Sequence, residues 1–343
     1  MLEIKVASDS DSFRWDEFVR AHENTTYNHL FGWRGVIEEI YGMKPFYLMA
    51  LEKGEKVRGV LPVFEIKTLF GGQAACSIPF CNYGSVCARD DETENALLDA
   101  AGSMVEDKKW SGLELRSLKP WSKPYGQVDL ENVTHLVQLP VDPDLLWKKL
   151  GYKTRRRVLK AEKNGIKVVI CRDKVEDFHQ VYSENMRDLG TPSHSVDFFR
   201  RVLEVFPRET SLIMLYLADK PVGGMFVFHF RDLVIDPWAS SLRKYFDLLP
   251  NYLLYWEAFR YAISLGAKYR DLGRSQWNSG PFKFKAKWSS VPHQLYYLNL
   301  GRDPGYISRP YKKYLLKKIS SVYRHLPLPL SRAVGPKLRK FLP

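Results

Sequence analysis

The chain has 343 residues, 45% of them apolar and 27% charged, and carries a net charge of +13. At roughly 150 residues per domain, this length predicts two domains or one large one, with ample material for a core, and the composition excludes disorder as the dominant state. No run approaches the roughly 18 apolar residues of a spanning helix. No secretory leader pattern opens the sequence, and Cys76, Cys81, Cys87 and Cys171 form no CxxC pair. A reduced, cytoplasmic protein is expected, with neither a zinc site nor a disulfide framework.

In chain order, apolar spacing predicts helices over 13–22 and 31–41. Two β-rich runs, 46–51 and 57–64, flank the polar turn Lys53-Gly54-Glu55-Lys56 and predict a β-hairpin. A helix over 92–109 and a strand over 113–117 follow. Pro140-Val141-Asp142-Pro143 marks a junction. After it the same order returns: helices over 174–188 and 195–206, a hairpin of 211–217 with 221–230, a helix over 250–265 and a strand over 268–272. Leu249, Leu253, Trp256, Phe259 and Ile263 give that later helix a clear apolar stripe. The hairpin glycines Gly59 and Gly223 are 164 residues apart, and the later strands, from Leu113 and Tyr269, are 156 apart. A tandem duplication accounts for both spacings. Helices, a meander of strands, a helix and a strand is the order of the GNAT acyltransferase fold, a likeness that does not by itself fix function.

The charge is concentrated. Residues 301–343 hold eleven Lys or Arg and a single acid, Asp303. Tyr311, Leu315, Ile319, Val322 and Leu326 recur there at helical spacing, with lysines beside and opposite them. Such a helix either packs its stripe on the body or lies on an anionic membrane surface. RNA contact is a third reading of the same charge. A second basic stretch, residues 153–163, has six basic residues in eleven and ends at the helix stop Asn164-Gly165. It is either a solvated helix face or an anion site. Helix geometry lets at most Arg155, Arg156 and a residue three or four further on face a single ligand.

Several segments together resemble the FemAB-type proteins, and more narrowly those associated with exopolysaccharide and PEP-CTERM/exosortase systems. They are Phe31-Gly32-Trp33, Gly59-Val60-Leu61-Pro62, and Ser77 to Gly84. They also include Arg155-Arg156 with Lys160 to Gly165, Met186 to Pro192, and Asp271-Leu272-Gly273-Arg274-Ser275 followed by Gly280, Phe284-Lys285 and Lys287-Trp288. The resemblance implies an α+β protein of two tandem GNAT domains, residues 1–141 and 142–305, with a basic helical tail over 306–343. It implies transfer of an acyl or aminoacyl group to an amine or hydroxyl of an anionic cell-envelope or exopolysaccharide precursor. Lys285 matches the family's catalytic lysine, and Arg155 or Arg156 its acceptor-phosphate site. The donor, acyl-CoA or aminoacyl-tRNA, is a co-substrate, and no tightly bound cofactor is implied. Two departures bear on it. The pyrophosphate signature Q/R-x-x-G-x-G/A is replaced by Leu242 to Tyr252, which argues against acetyl-CoA. Residues 180–275 leave no room for the two-helix arm of some tRNA-using members, which argues against tRNA.

Acyl transfer needs a deprotonated nucleophile, a stabilised oxyanion and aligned reactants. Lys285 supplies positive charge for the oxyanion. Asp271 is expected to act as base or to orient its neighbours, with a local ion pair as the plain alternative. Arg274, with Ser275 of the same motif, is expected to bind an anionic substrate group. Asn82 and Tyr83 lie in a Pro/Gly-rich loop of the kind that faces ligands, or that simply turns. Trp238, after the second hairpin, is expected to wall the acyl cleft. His229 and His194 read as structural, the latter within a helix N-cap. No metal-ligand or Walker pattern is present. A competing function is a degenerate, non-catalytic GNAT pair that binds a nucleotide-sugar or lipid-linked precursor at the membrane, possible peripheral contact coming from residues 306–343.

Overall fold

The computed structural model describes residues 2–68, 72–123, 125–301 and 310–342, with backbone alone for 310–316. The first half of the chain forms β1 (Leu2–Val6), α1 (Ser12–Ala21), α2 (Trp33–Tyr41), β2 (Pro45–Glu52), β3 (Lys56–Lys67), β4 (Gln73–Cys76), β5 (Cys87–Ala88), α3 (Asp91–Asp107), β6 (Leu113–Ser117), β7 (Gln127–Asp129) and β8 (Asn132–Gln138). The second forms α4 (Pro143–Lys149), α5 (Tyr152–Glu162), β9 (Lys167–Cys171), α6 (Val175–Asp188), α7 (Val196–Val205), β10 (Thr210–Leu217), β11 (Lys220–Phe230), β12 (Leu233–Ser241), α8 (Pro250–Ser264), β13 (Tyr269–Gln276), α9 (Gly280–Lys285), β14 (Val291–Gln294) and β15 (Tyr296–Leu300). Two helices close the chain, α10 (Pro310–Tyr323) and α11 (Leu328–Arg339). Both hairpins and the helices beside them stand where their periodicity placed them. Local chemistry sets the ends. Asp90 caps α3 by accepting from Thr93 N, and Ser195 caps α7 by accepting from Phe198 N.

The two sheets share one plan. The first runs β1-β2-β3-β4-β6-β15-β7, with β5 also on β3; the second runs β9-β10-β11-β12-β13-β8-β14. Position by position these are the same sheet, including one parallel pair in each, β4 with β6 and β12 with β13. The sixth places differ from a simple copy: β8 of the first half enters the second sheet, and β15 of the second half enters the first. The halves of the chain have exchanged a strand. The compact units therefore depart from the expected linear division at 141/142 and 305/306. The first takes residues up to 132 and resumes at 294; the second holds 133–293 and 316–339.

Each unit has its own core. In the first, Leu97, Leu98, Ala101 and Val105 of α3 pack on Leu48, Ala50, Leu61 and Val63 of the sheet. In the second, the stripe of α8 packs on Ile213, Leu215, Met225 and Val227, and Val158 and Ala161 of α5 join it. In the tail, Tyr323 is buried, and its hydroxyl donates to the Ser331 carbonyl at 2.9 Å. Arg332 of α11 donates to Ser183 Oγ of α6 at 2.9 Å. Val322, expected in the apolar stripe, is 67% exposed, and its neighbour Tyr323 takes the buried place. Tyr311 and Leu315 lie outside the residues whose side chains are described, as do Lys312 and Lys313; Arg302 and Arg309 lie outside the described residues. Among the described residues no helix is long and apolar enough to cross a membrane.

Gly59 shows how closely α3 approaches its sheet: a Cβ there would stand 2.9 Å from both Leu97 Cδ1 and Thr93 Cγ2. Gly59→Val should cost about 1–3 kcal/mol through overpacking, read as a lower urea midpoint with an unchanged slope.

Candidate active site

Strands β12 and β13 pair through only three registers, Leu233↔Tyr269, Val234↔Arg270 and Ile235↔Asp271, and then part. The cause lies in β12. Against β11, Phe226 faces Trp238 and Phe228 faces Ile235, so Asp236 and Pro237 together oppose one residue, Val227. This is a β-bulge, and Pro237 has no N–H to continue a ladder. The bulge bends β12 away and opens a fork above Ile235 and Asp271.

A buried ion pair holds the base of the fork. Arg270 Nη2 donates to Asp236 Oδ1 at 2.8 Å and Nη1 to the Tyr255 carbonyl at 2.9 Å. The guanidinium lies 4.3 Å over the Phe259 ring. Burial pushes the Asp236 carboxyl above its ordinary range, against the pull of Arg270. Asp271, also fully buried, accepts from the Thr134 hydroxyl and, at 2.7 Å, from Gly273 N–H.

Gly273 has φ +78°, a left-handed conformation that an L side chain adopts only with strain. In a regular strand successive carbonyls point to opposite edges. Here the carbonyls of Gly273 and Arg274 converge on one group, Lys285 Nζ, at 2.8 and 2.7 Å. Lys285 reaches them from the last turn of α9, a short helix capped by Ser279, with proline at its start. Phe284 and Trp288 anchor that segment. Trp288 is fully buried, its ring 5.6 Å from Tyr255 and 5.5 Å from Phe259, and Phe284 lies 5.0 Å from Tyr255. Lys285 is 8% exposed. Burial lowers its ammonium to about 8, against the upward pull of Asp236 and Asp271. An ammonium has three donors, and two go to these carbonyls.

His135, which sequence reading passed over, comes from the exchanged strand β8. Its nitrogens lie 3.0 Å from Ser275 Oγ and 3.0 Å from Ser290 Oγ. Burial, and then Lys285, lower it to about 4.

The structure brings Lys285, Asp271, Ser275 and Arg274 together. Arg274 is exposed beside buried Ser275. Arg155 is half-buried and Arg156 exposed on α5, in the same unit. Thr154 of that helix has its hydroxyl 3.5 Å from the Lys287 carbonyl, so the basic helix borders the lysine segment. Trp238 does not face the fork. Its ring sits in an aromatic cluster with His194, Phe198, Phe199 and Phe226 at 5.3–5.9 Å. Asn82 and Tyr83 belong to the first unit. There the matching fork of β4 and β6 is sewn shut by the loop that follows β4. Ser77 N–H donates to the Glu114 carbonyl at 2.8 Å, Gly84 N–H to the Arg116 carbonyl at 3.1 Å, and Arg116 Nη1 to the Cys81 carbonyl at 2.9 Å. The Asn82 carbonyl accepts from Tyr297 and that of Tyr83 from Asn28.

A parallel pair that parts into a fork in each sheet, bulged in the second, with a helix packed on the sheet, defines a tandem GNAT fold. The model of the acetyltransferase (GNAT) domain family matches residues 148–286. FemX superposes with a TM-score of 0.67 at 14% identity over 93% of this chain and all of its own. The C-terminal domain of a putative lysylphosphatidylglycerol synthetase from Agrobacterium fabrum gives 0.58 at 10% identity, over 91% of this chain and 96% of its own. A tandem GNAT protein from the clavulanic acid biosynthesis pathway gives 0.55 at 11%, over 88% and 99%. No curated protein matches in sequence. At these identities the likeness establishes the fold, and the family match falls within the second half of the chain.

Arg270→Met would leave Asp236 buried without its partner, at a cost of about 3–5 kcal/mol. Chemical denaturation should show that loss, and a change under 1 kcal/mol would mean the pair does not hold the fork.

Proposed function

We propose that the second unit catalyses acyl or aminoacyl transfer onto an amine or hydroxyl of an anionic cell-envelope or exopolysaccharide precursor. One observation carries this reading: a buried ammonium, Lys285, held by two backbone carbonyls at the fork of β12 and β13, with a third N–H to give. The donor carbonyl lies in the fork, the acceptor attacks it, and the oxyanion forms against Lys285. Asp271 positions Gly273 and Thr134. Arg274 and Ser275 meet the substrate at the fork, and Arg155 and Arg156 offer positive charge for a precursor phosphate.

For the donor, residues Arg243–Leu248 form a 3₁₀ helix where a GNAT would cradle pyrophosphate. The N–H groups of Tyr245, Leu249 and Tyr252 are spent on Leu242, Phe246 and Leu249 carbonyls. This favours an aminoacyl ester over a coenzyme A thioester. The same spent N–H groups favour, as the second reading, a non-catalytic pair that only binds the precursor. The basic tail brings the enzyme to the inner face of an anionic membrane, where a lipid-linked acceptor would be found.

The protein should be incubated with acetyl-CoA, acyl-carrier thioesters or aminoacyl-tRNA and a lipid-linked precursor, and the products weighed by mass spectrometry. A transferred group excludes the binding-only reading, and none from any donor ends the transferase one. Lys285→Ala should lower transfer about 10²–10³-fold and, by leaving the Gly273 and Arg274 carbonyls unpaired, cost about 1–3 kcal/mol of stability. Because the ammonium is the working form, transfer should fall as pH rises through about 8. Lys285→Arg should hold its charge and carry activity past that limb.

A further inference from the structure

Nothing in the mechanism above uses His135, yet its environment is ordered in one direction. The Ser290 hydroxyl donates its single hydrogen to the Lys285 carbonyl at 3.0 Å. The 3.0 Å contact between Ser290 Oγ and His135 Nδ1 therefore requires the imidazole to donate. A neutral imidazole protonated at Nδ1 carries its lone pair on Nε2, which accepts the Ser275 O–H at 3.0 Å. Ser275 thus points its proton inward at His135 and turns its oxygen lone pairs away. Ser275 directly follows the two carbonyls that grip Lys285, and its strand neighbours Arg274 and Gln276 are exposed. Phe282 of α9 packs edge-on against the imidazole at 4.8 Å. A base, its hydroxyl partner and a third group that fixes the base's tautomer are the parts of an activated hydroxyl.

We infer that Ser275 and His135 form the proton path of the transfer reaction, a deduction that rests on the transferase reading. As the acceptor's amine or hydroxyl attacks the donor carbonyl, a bond forms to that carbon and the carbonyl electron pair moves onto oxygen, facing Lys285. The acceptor's proton passes to Ser275 Oγ, and the proton of Ser275 passes to Nε2 of His135. When the intermediate collapses, the bond to the leaving group breaks, and the same proton returns through Ser275 to that group. The charged group that acts on the imidazole is Lys285 from α9. Burial and Lys285 keep His135 neutral above about pH 4, so Nε2 is open to a proton across pH 5–8.

The test uses p-nitrophenyl acetate, an activated ester that needs no particular donor site, with water as acceptor. Release of nitrophenolate should fall tenfold or more in His135→Gln, which still accepts from Ser275 but cannot take its proton, and by as much in Ser275→Ala. The double variant should be no slower than either single one. Residual release should climb about tenfold per pH unit as hydroxide replaces the missing base. Nitrogen-15 spectra of labelled histidine should show a neutral, Nδ1-protonated His135 at pH 6. A wild type inert to the ester, single variants within threefold of it, additive losses or the opposite tautomer would each overturn the proton path. Failure of every natural donor, with ester turnover still lost in these variants, would instead remove the transferase reading and leave the pair intact.

Discussion

A proline in one strand and a left-handed glycine in its neighbour keep β12 and β13 from pairing along their full length. Pro237 removes a ladder donor, and the bulge it shares with Asp236 turns β12 aside. Gly273 aims two consecutive carbonyls at one point. The gap would be costly if it only exposed backbone to an apolar interior. The Arg270–Asp236 pair closes its base, and Lys285 satisfies the carbonyls that face it. The groups that hold the fork open are thus also those that make it chemically useful.

The first unit shows what happens without them. Its strands part after two pairs, Ala75↔Leu113 and Cys76↔Glu114, but the following loop is stitched back onto β6. Arg116 there pairs with Glu114 at 2.8 Å and caps the Cys81 carbonyl. Its charge is consumed inside the fold. The two units share a sheet plan strand for strand, so the contrast lies in side chains and loops rather than in topology. The exchange of β8 and β15 adds a further asymmetry. It brings His135, encoded in the first half of the chain, into the second unit beside Ser275.

Much of this plan was legible in the sequence because it is local. Hairpins, helix stripes and caps are written within a few residues of one another, and so is the lysine segment. Phe284 and Trp288 bracket Lys285 at helical spacing, and their burial aims the lysine back at β13. What was not legible depends on distant pairing. Arg270 meets Asp236 across 34 residues, and Ser275 meets His135 across 140. A strand exchange leaves no periodicity behind, so the division at 141/142 assigned β8 to its own half. Trp238 was misplaced for a different reason. The extra residue at the bulge reverses the in-and-out alternation of β12, which sends the indole to α7 instead of the fork. Asn82 and Tyr83 sit in a loop whose Pro/Gly content signals irregular backbone but does not say whether a ligand or a neighbouring strand occupies it.

The electrostatics of the fork follow from its balance of charge. Arg270 and Lys285 stand against Asp236 and Asp271, two cations and two anions in a buried space. Lys285 is the member least well served, since its partners are carbonyls rather than a carboxylate, and burial leaves its ammonium near 8. Such a group gains most from an anion that arrives late. In the proposed transfer, a neutral donor carbonyl would offer it little, whereas the oxyanion of a tetrahedral intermediate would supply the missing negative charge. The interaction is then stronger in the transition state than in the ground state, which is the condition for it to speed the reaction rather than merely tighten binding.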